Sequence, residues 1–185
     1  MPAGRCLWFL CVSMGSEGAQ MSRLLVVVDV QKAMVTGEYA VPNAEEFLAK
    51  WGARIEEARE EGTPVLFVQN DGEEPWDDAP GYPGWELYFT PRGDERTVRK
   101  TAFNVFESNP QLAEELKAAG FDELEMIGLQ SELCVFESSK GALANGFKVV
   151  LPVGMHATND AEYGKAENIS ASIQQQLEEL GASSN

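Results

Sequence analysis

Glu125-Met126-Ile127-Gly128-Leu129-Gln130-Ser131-Glu132-Leu133-Cys134 is the stretch on which the fold of this chain turns. It reads as a buried strand, a glycine break and a short polar turn. It runs into a helical stretch from Val135 to Ala144, closed by Asn145-Gly146. A strand followed by a tight turn and a helix is the repeating step of an α/β sheet. The turn also places a thiol beside the unpaired N–H groups and positive dipole end of a helix, which favour thiolate over thiol. The competing reading is an inert core cysteine, the ordinary fate of a free thiol. The choice depends on what other residues the fold brings to Cys134.

The same alternation recurs along the chain. Leu24-Leu25-Val26-Val27-Val28 is aliphatic without a polar alternate, the pattern of a parallel strand covered on both faces, and it ends at Asp29. Asn43 is placed to cap a helix through Phe47, Leu48, Trp51 and Ile55 to Gly62. Pro64 to Gln69 reads as a second buried strand, Thr97 to Lys100 as a short one, and Lys148 to Val153 as another. Asn109-Pro110 opens a helix that Gly120 ends, and a last helix covers Glu162 to Leu180. The expected fold is a three-layer α/β/α, Rossmann-like arrangement: a mostly parallel sheet of about five or six strands with helices on both faces. Between Asn70 and Glu95 a long loop mixes prolines with Trp76, Tyr82, Trp85, Tyr88 and Phe89. Its aromatic content favours an ordered loop able to cover a pocket.

At 185 residues the chain suits one domain. A formal net charge of -16 repels phosphate backbones and anionic lipid, which argues against nucleic acid or a membrane surface as partner and leaves a small molecule. The apolar runs are too short to span a bilayer. Many of the acids (Glu45, Glu46, Glu56, Glu57, Glu60, Glu61, Glu114, Glu115) fall on helix faces and read as solvated surface. Cys6, Cys11 and Cys134 form no CxxC pair, which argues against a disulfide framework and a structural zinc site; a reducing cytoplasm is the simplest compartment. Residues 1–20 carry a short apolar core with no clean signal-cleavage site. They read as an N-terminal extension outside the fold, with the domain at 21–185.

In sheets of this kind ligands bind beyond the carboxyl ends of the strands. Asp29 ends the first strand, Lys100 the short one, the Gln130–Cys134 turn follows the third clear strand, and His156 lies past the next. An acid beside a cysteine can accept its proton and a lysine can stabilise the thiolate, making Cys134 a nucleophile.

The segments Val28-Asp29-Val30-Gln31, Arg99-Lys100-Thr101-Ala102-Phe103 and Gly128-Leu129-Gln130-Ser131-Glu132-Leu133-Cys134-Val135 resemble the isochorismatase-like cysteine hydrolases. The superfamily includes nicotinamidases and other amidohydrolases, and the Gln-Ser-Glu-Leu-Cys turn is most similar to the streptothricin-hydrolase side. The resemblance implies Cys134 as nucleophile, Asp29 as general base and Lys100 as the stabilising cation. It also implies a cis peptide at Leu129-Gln130 and an oxyanion hole from the Gln130 and Cys134 amides. The implied reaction is hydrolysis of an amide, lactam or ureido C–N bond through a thioester, without a cofactor, in a homo-oligomer (dimer or tetramer).

Gln31 is a candidate polar contact beside Asp29, and Trp85 and Phe103 are candidates to line the pocket. Family nicotinamidases bind metal through an Asp and several His residues; His156 is the single histidine here, so no metal is expected. The chain also stops soon after its last helix, at Gly181 to Asn185, where relatives commonly add a strand. Other readings stay open: His156 as the base in a Cys–His pair, a thiol redox protein, or a degenerate family member that only binds a small molecule.

Overall fold

The computed structural model describes residues 22–185, so the expected extension and Met21 lie outside the described residues. The chain runs β1 (Ser22–Val28), α1 (Lys32–Val35), α2 (Ala44–Glu61), β2 (Val65–Asn70), β3 (Arg96–Lys100), α3 (Val105–Ser108), α4 (Leu112–Ala118), β4 (Phe121–Leu129), α5 (Phe136–Ala144), β5 (Lys148–Val150), β6 (His156–Ala157) and α6 (Ala166–Glu179). A single π turn, Ser131–Val135, lies between β4 and α5, and a short 3-10 turn, Pro83–Trp85, sits in the long loop.

The six strands form one sheet in the order β3-β2-β1-β4-β5, with β6 also on β4, and every pairing is parallel. The uninterrupted apolar run of β1 is explained by what covers it. Leu24, Val26 and Val28 face one core with Leu112 and Leu116 of α4, Ala142 of α5 and Ile169, Ile173 and Leu177 of α6. Leu25 and Val27 face the other, against Trp51, Ile55 and Ala58 of α2. Alternate residues of one strand thus enter opposite cores, giving the three layers.

Several boundaries differ from the sequence reading. Asn43 precedes α2, but its backbone is left-handed (φ 59) and its side chain makes no cap hydrogen bond. α3 was not foreseen; the Asn104 side chain caps it by accepting from Phe106 N–H. α4 starts two residues beyond Pro110, at Leu112. The strand expected at Lys148 to Val153 ends at Val150, before Pro152, and His156 belongs to a strand of its own. Beyond α6 the chain returns to the sheet: Ser183 bridges Val150 in parallel, with Leu151 N–H donating to Ser183 O at 2.7 Å.

Candidate active site

Parallel strands in register end along one edge, and that edge assembles the site. Val28 of β1 is level with Val68 of β2 and Gly128 of β4, and Asn70 of β2 is level with Lys100 of β3. Asp29 leaves β1 in a left-handed conformation (φ 50), with Gln31 N–H donating back to its carbonyl at 2.8 Å. On β4 the Leu129–Gln130 peptide is cis. The π turn then closes through Val135 N–H on Gln130 O at 3.2 Å, carrying Cys134 under the sheet edge.

Asp29, Lys100 and Cys134 are in contact. Lys100 Nζ lies 2.7 Å from Asp29 Oδ2 and 3.1 Å from Cys134 Sγ, and donates to Asn70 Oδ1 at 3.0 Å. The three are 5, 2 and 8 % exposed, so water screens their charges little. Burial pushes the Asp29 carboxyl above the ordinary carboxylate range, while the Lys100 cation and the Cys134 thiol oppose that rise. Burial lowers the Lys100 pKa, but the negative partners outweigh it, so the ammonium stays charged. The thiol of Cys134 is pushed up to about 12 by burial first and the Asp29 carboxylate second, with Lys100 only partly offsetting them. This corrects the expectation of a thiolate held by a helix terminus. Cys134 lies inside the π turn rather than at the start of α5, and in a dry pocket desolvation prevails. Burial thus favours the protonated thiol over the thiolate, beside a carboxylate made more basic by the same burial.

Asn70 escaped sequence reading. It stands at the carboxyl end of β2, the very location that singled out Asp29 and Lys100, but an amide carries no charge to mark it. Its amide joins Lys100 to the long loop, through Asp78 Oδ2 at 3.2 Å.

The remaining candidates fall in different surroundings. Gln31 is buried, and its amide donates to the Asn70 and Trp85 carbonyls at 3.0 and 2.9 Å while accepting from Asn70 N–H at 2.8 Å. It thereby clamps the long loop to the sheet edge. Trp85 donates its indole N–H to Asp71 at 2.9 Å and stacks under the Arg99 guanidinium. Phe103 is 55 % exposed and its carbonyl accepts from Ser138. His156 is buried, with Nδ1 2.8 Å from Ser131 Oγ and Nε2 3.1 Å from Gln174 Oε1. Both its nitrogens are therefore engaged, which removes the geometric ground for a Cys–His pair. Among the described residues no three His, Cys, Asp or Glu side chains are grouped to hold a metal ion, so these residues do not fit a histidine-built metal site. A cavity of about 460 Å³, lined in part by His156, Ser170 and Gln174, opens between α2 and α6, and Asp29, Lys100 and Cys134 do not line it.

Comparison with known proteins agrees with this architecture. The Isochorismatase domain family matches residues 23–178, and the chain belongs to this family of hydrolases. It is 39 % identical over 182 residues to a streptothricin hydrolase of Streptomyces noursei, covering 85 % of this chain and 71 % of that protein. A second streptothricin hydrolase of Streptomyces noursei is 44 % identical over 138 residues, covering 74 % of this chain and 50 % of that protein. The crystal structure of an isochorismatase from Pseudomonas putida KT2440 superposes with a TM-score of 0.81 at 23 % identity, over 88 % of this chain and 86 % of that one, a likeness of fold. Among the described residues no helix is long and apolar enough to cross a membrane.

Proposed function

We propose that this protein is a cysteine-dependent hydrolase of a C–N bond in a small molecule, an amide, lactam or ureido group, acting through a thioester on Cys134. The observation that supports this most is the placement of one buried ammonium, Lys100, 2.7 Å from Asp29 and 3.1 Å from Cys134.

In this reading Asp29 takes the thiol proton as Sγ bonds to the substrate carbonyl carbon, and Lys100 keeps the carboxylate and the nascent thiolate charged in a dry site. The amides of Gln130 and Cys134 receive the oxyanion, a contribution of about 3 kcal/mol to the barrier. The C–N bond breaks as the amine takes the proton from Asp29. Water then gives its proton to Asp29 and its hydroxide to the thioester, and the acid leaves as Cys134 regains the proton. Gln31 acts in this scheme by holding the long loop, and Trp85 and Phe103 are the proposed walls of the substrate pocket. Isochorismatase chemistry, cleavage of a vinyl ether, needs no thiol nucleophile, so Cys134 favours the amidohydrolase branch.

Because relatives named streptothricin hydrolase share 39 to 44 % of aligned residues, a streptothricin is the first substrate to test, followed by a panel of simple lactams, amides and ureido compounds. The expected results are release of a new amine and a covalent adduct on Cys134 by intact mass, both lost in Cys134→Ala. Turnover that survives Cys134→Ala would refute the thiol mechanism. We further propose a cytoplasmic homo-oligomer, dimer or tetramer, with residues 21–185 as its domain; light scattering of the purified chain tests the assembly.

A further inference from the structure

A hydrogen-bonded chain outside the Asp29–Lys100–Cys134 contact ends on the cysteine's own turn. Ser131, the first residue of the π turn, is fully buried. Its hydroxyl lies 2.8 Å from His156 Nδ1 and 2.8 Å from Ser170 Oγ. His156 Nε2 lies 3.1 Å from Gln174 Oε1, and Gln174 Nε2 donates to the Leu151 carbonyl at 3.0 Å and to Glu178 at 2.9 Å.

The direction of every proton in this chain follows from its end. A carbonyl can only accept, so the Leu151 oxygen fixes the Gln174 amide with its NH2 outward and its oxygen toward His156. His156 Nε2 must then carry the ring proton. Burial keeps the ring neutral, which leaves Nδ1 as an acceptor for the Ser131 hydroxyl, and Ser131 Oγ in turn accepts from Ser170. Ser131 is thus locked in one rotamer from β6 on one side and α6 on the other. Its neighbour Gln130 is already held at its carbonyl by Leu133 N–H at 3.1 Å and Val135 N–H at 3.2 Å. Fixing Ser131 as well holds the Gln130–Ser131 peptide from both sides, directly next to the Gln130 N–H.

We propose that His156 is a positioning residue that acts through Ser131 to aim the Gln130 amide at the oxyanion formed during acyl transfer. The proposal rests on the cysteine-hydrolase reading above, and two reagents separate the two. With p-nitrophenyl acetate, Sγ bonds to the acetyl carbon, nitrophenolate leaves, and an oxyanion forms on the way. With iodoacetamide, Sγ bonds to the CH2 carbon, iodide leaves, and no oxyanion forms. Both reactions need the Cys134 thiol; only the first needs the Gln130 amide.

The full chain is treated with each reagent, and labelling of the Cys134 peptide, separate from those of Cys6 and Cys11, is timed by mass spectrometry after digestion. His156→Gln keeps a partner for Gln174 but withdraws the acceptor from Ser131. It is expected to slow acetylation about tenfold and to leave alkylation within about twofold. His156→Asn places an oxygen where Nδ1 was and is expected to restore acetylation. Ser170→Ala, at the half-buried end of the chain, gives the same selective slowing to a smaller degree and serves if His156→Gln does not fold. The proposal is overturned if acetylation and alkylation fall together, if neither changes, or if the Asn and Gln variants behave alike. Failure of both reagents to label Cys134 in the unaltered protein overturns the underlying cysteine-nucleophile reading instead.

Discussion

Lys100 is the residue on which the site depends. Its ammonium is withdrawn from water and is kept charged by Asp29, by the Cys134 sulfur and by Asn70 Oδ1. Replacing it with methionine preserves volume but leaves the Asp29 carboxylate buried without a counter-charge, so that carboxyl is expected to protonate and cease to act as a base. Lys100→Met is expected to slow acetylation of Cys134 by about a hundredfold, measured as mass gain with p-nitrophenyl acetate. The thiol itself gives a second expectation. Because its pKa is pushed up to about 12, alkylation by iodoacetamide should climb about tenfold for each pH unit between about 7 and 9, without levelling. A plateau near neutrality would mean that the proton is gone at rest or is taken by Asp29 during alkylation, and Asp29→Asn, which abolishes only the second, separates the two. The residue types were readable in the chain, and so was their order; the protonation state was not, because it is set by burial that only packing creates.

β4 shows how an element shapes its neighbours. Gly128 has φ +121, and a Cβ there would lie 2.1 Å from the Val28 carbonyl oxygen of β1. Both the backbone conformation and the close approach of the strands require glycine at the point where β1 hands over to Asp29. Gly128→Ala is expected to cost about 3 kcal/mol or more, seen as a lower urea midpoint, and to disturb labelling of Cys134. The same strand carries Glu125, 2 % exposed, whose carboxylate is gripped by Arg54 of α2 through two bonds of 2.7 and 2.8 Å. Arg54→Met leaves that buried charge only the longer Arg23 contact at 3.3 Å and is expected to destabilise the fold by about 2 kcal/mol in the same assay. Sequence patterning placed Glu125 in a buried strand without naming a partner, because Arg54 lies 71 residues away on another layer. The helix faces were more legible: Glu56, Glu57, Glu60 and Glu61 are all exposed on α2, as the apolar spacing of Trp51, Ile55 and Ala58 required.

Over the whole molecule, buried titratable groups set the pH range of stability. His156 has its pKa lowered from 6.5 by burial, so the unfolded chain binds its proton more readily than the fold does. Its contribution is complete above about 6.5 and is lost as pH falls through the lowered folded value. Lys100 has its pKa raised from 10.5, so its contribution is present below that value and is lost as pH rises through the folded one. The Cys134 thiol, raised from 9.0 to about 12, starts to lose its contribution earlier, as pH rises above 9. The urea midpoint is therefore expected to be highest between about pH 7 and pH 9 and to fall on either side. His156→Asn should remove the part of the acid-side fall that begins near 6.5. An unchanged acid limb in that variant would show that carboxylates such as Glu95, held below the usual range by Arg59, account for the whole loss.

By itself the sequence determined the layer order, the strands that carry the chemistry and the family, since β-branched runs, helical spacing and short motifs are local properties of the chain. Only the tertiary structure decided the rest: that burial raises the Cys134 thiol pKa, that Gln31 clamps the long loop, that Asn70 supports Lys100, and that His156 faces Ser131 rather than the thiol. Each of these depends on groups far apart in the chain, and on removal from water, which changes pKa values and hydrogen-bond partners without leaving a mark on local sequence.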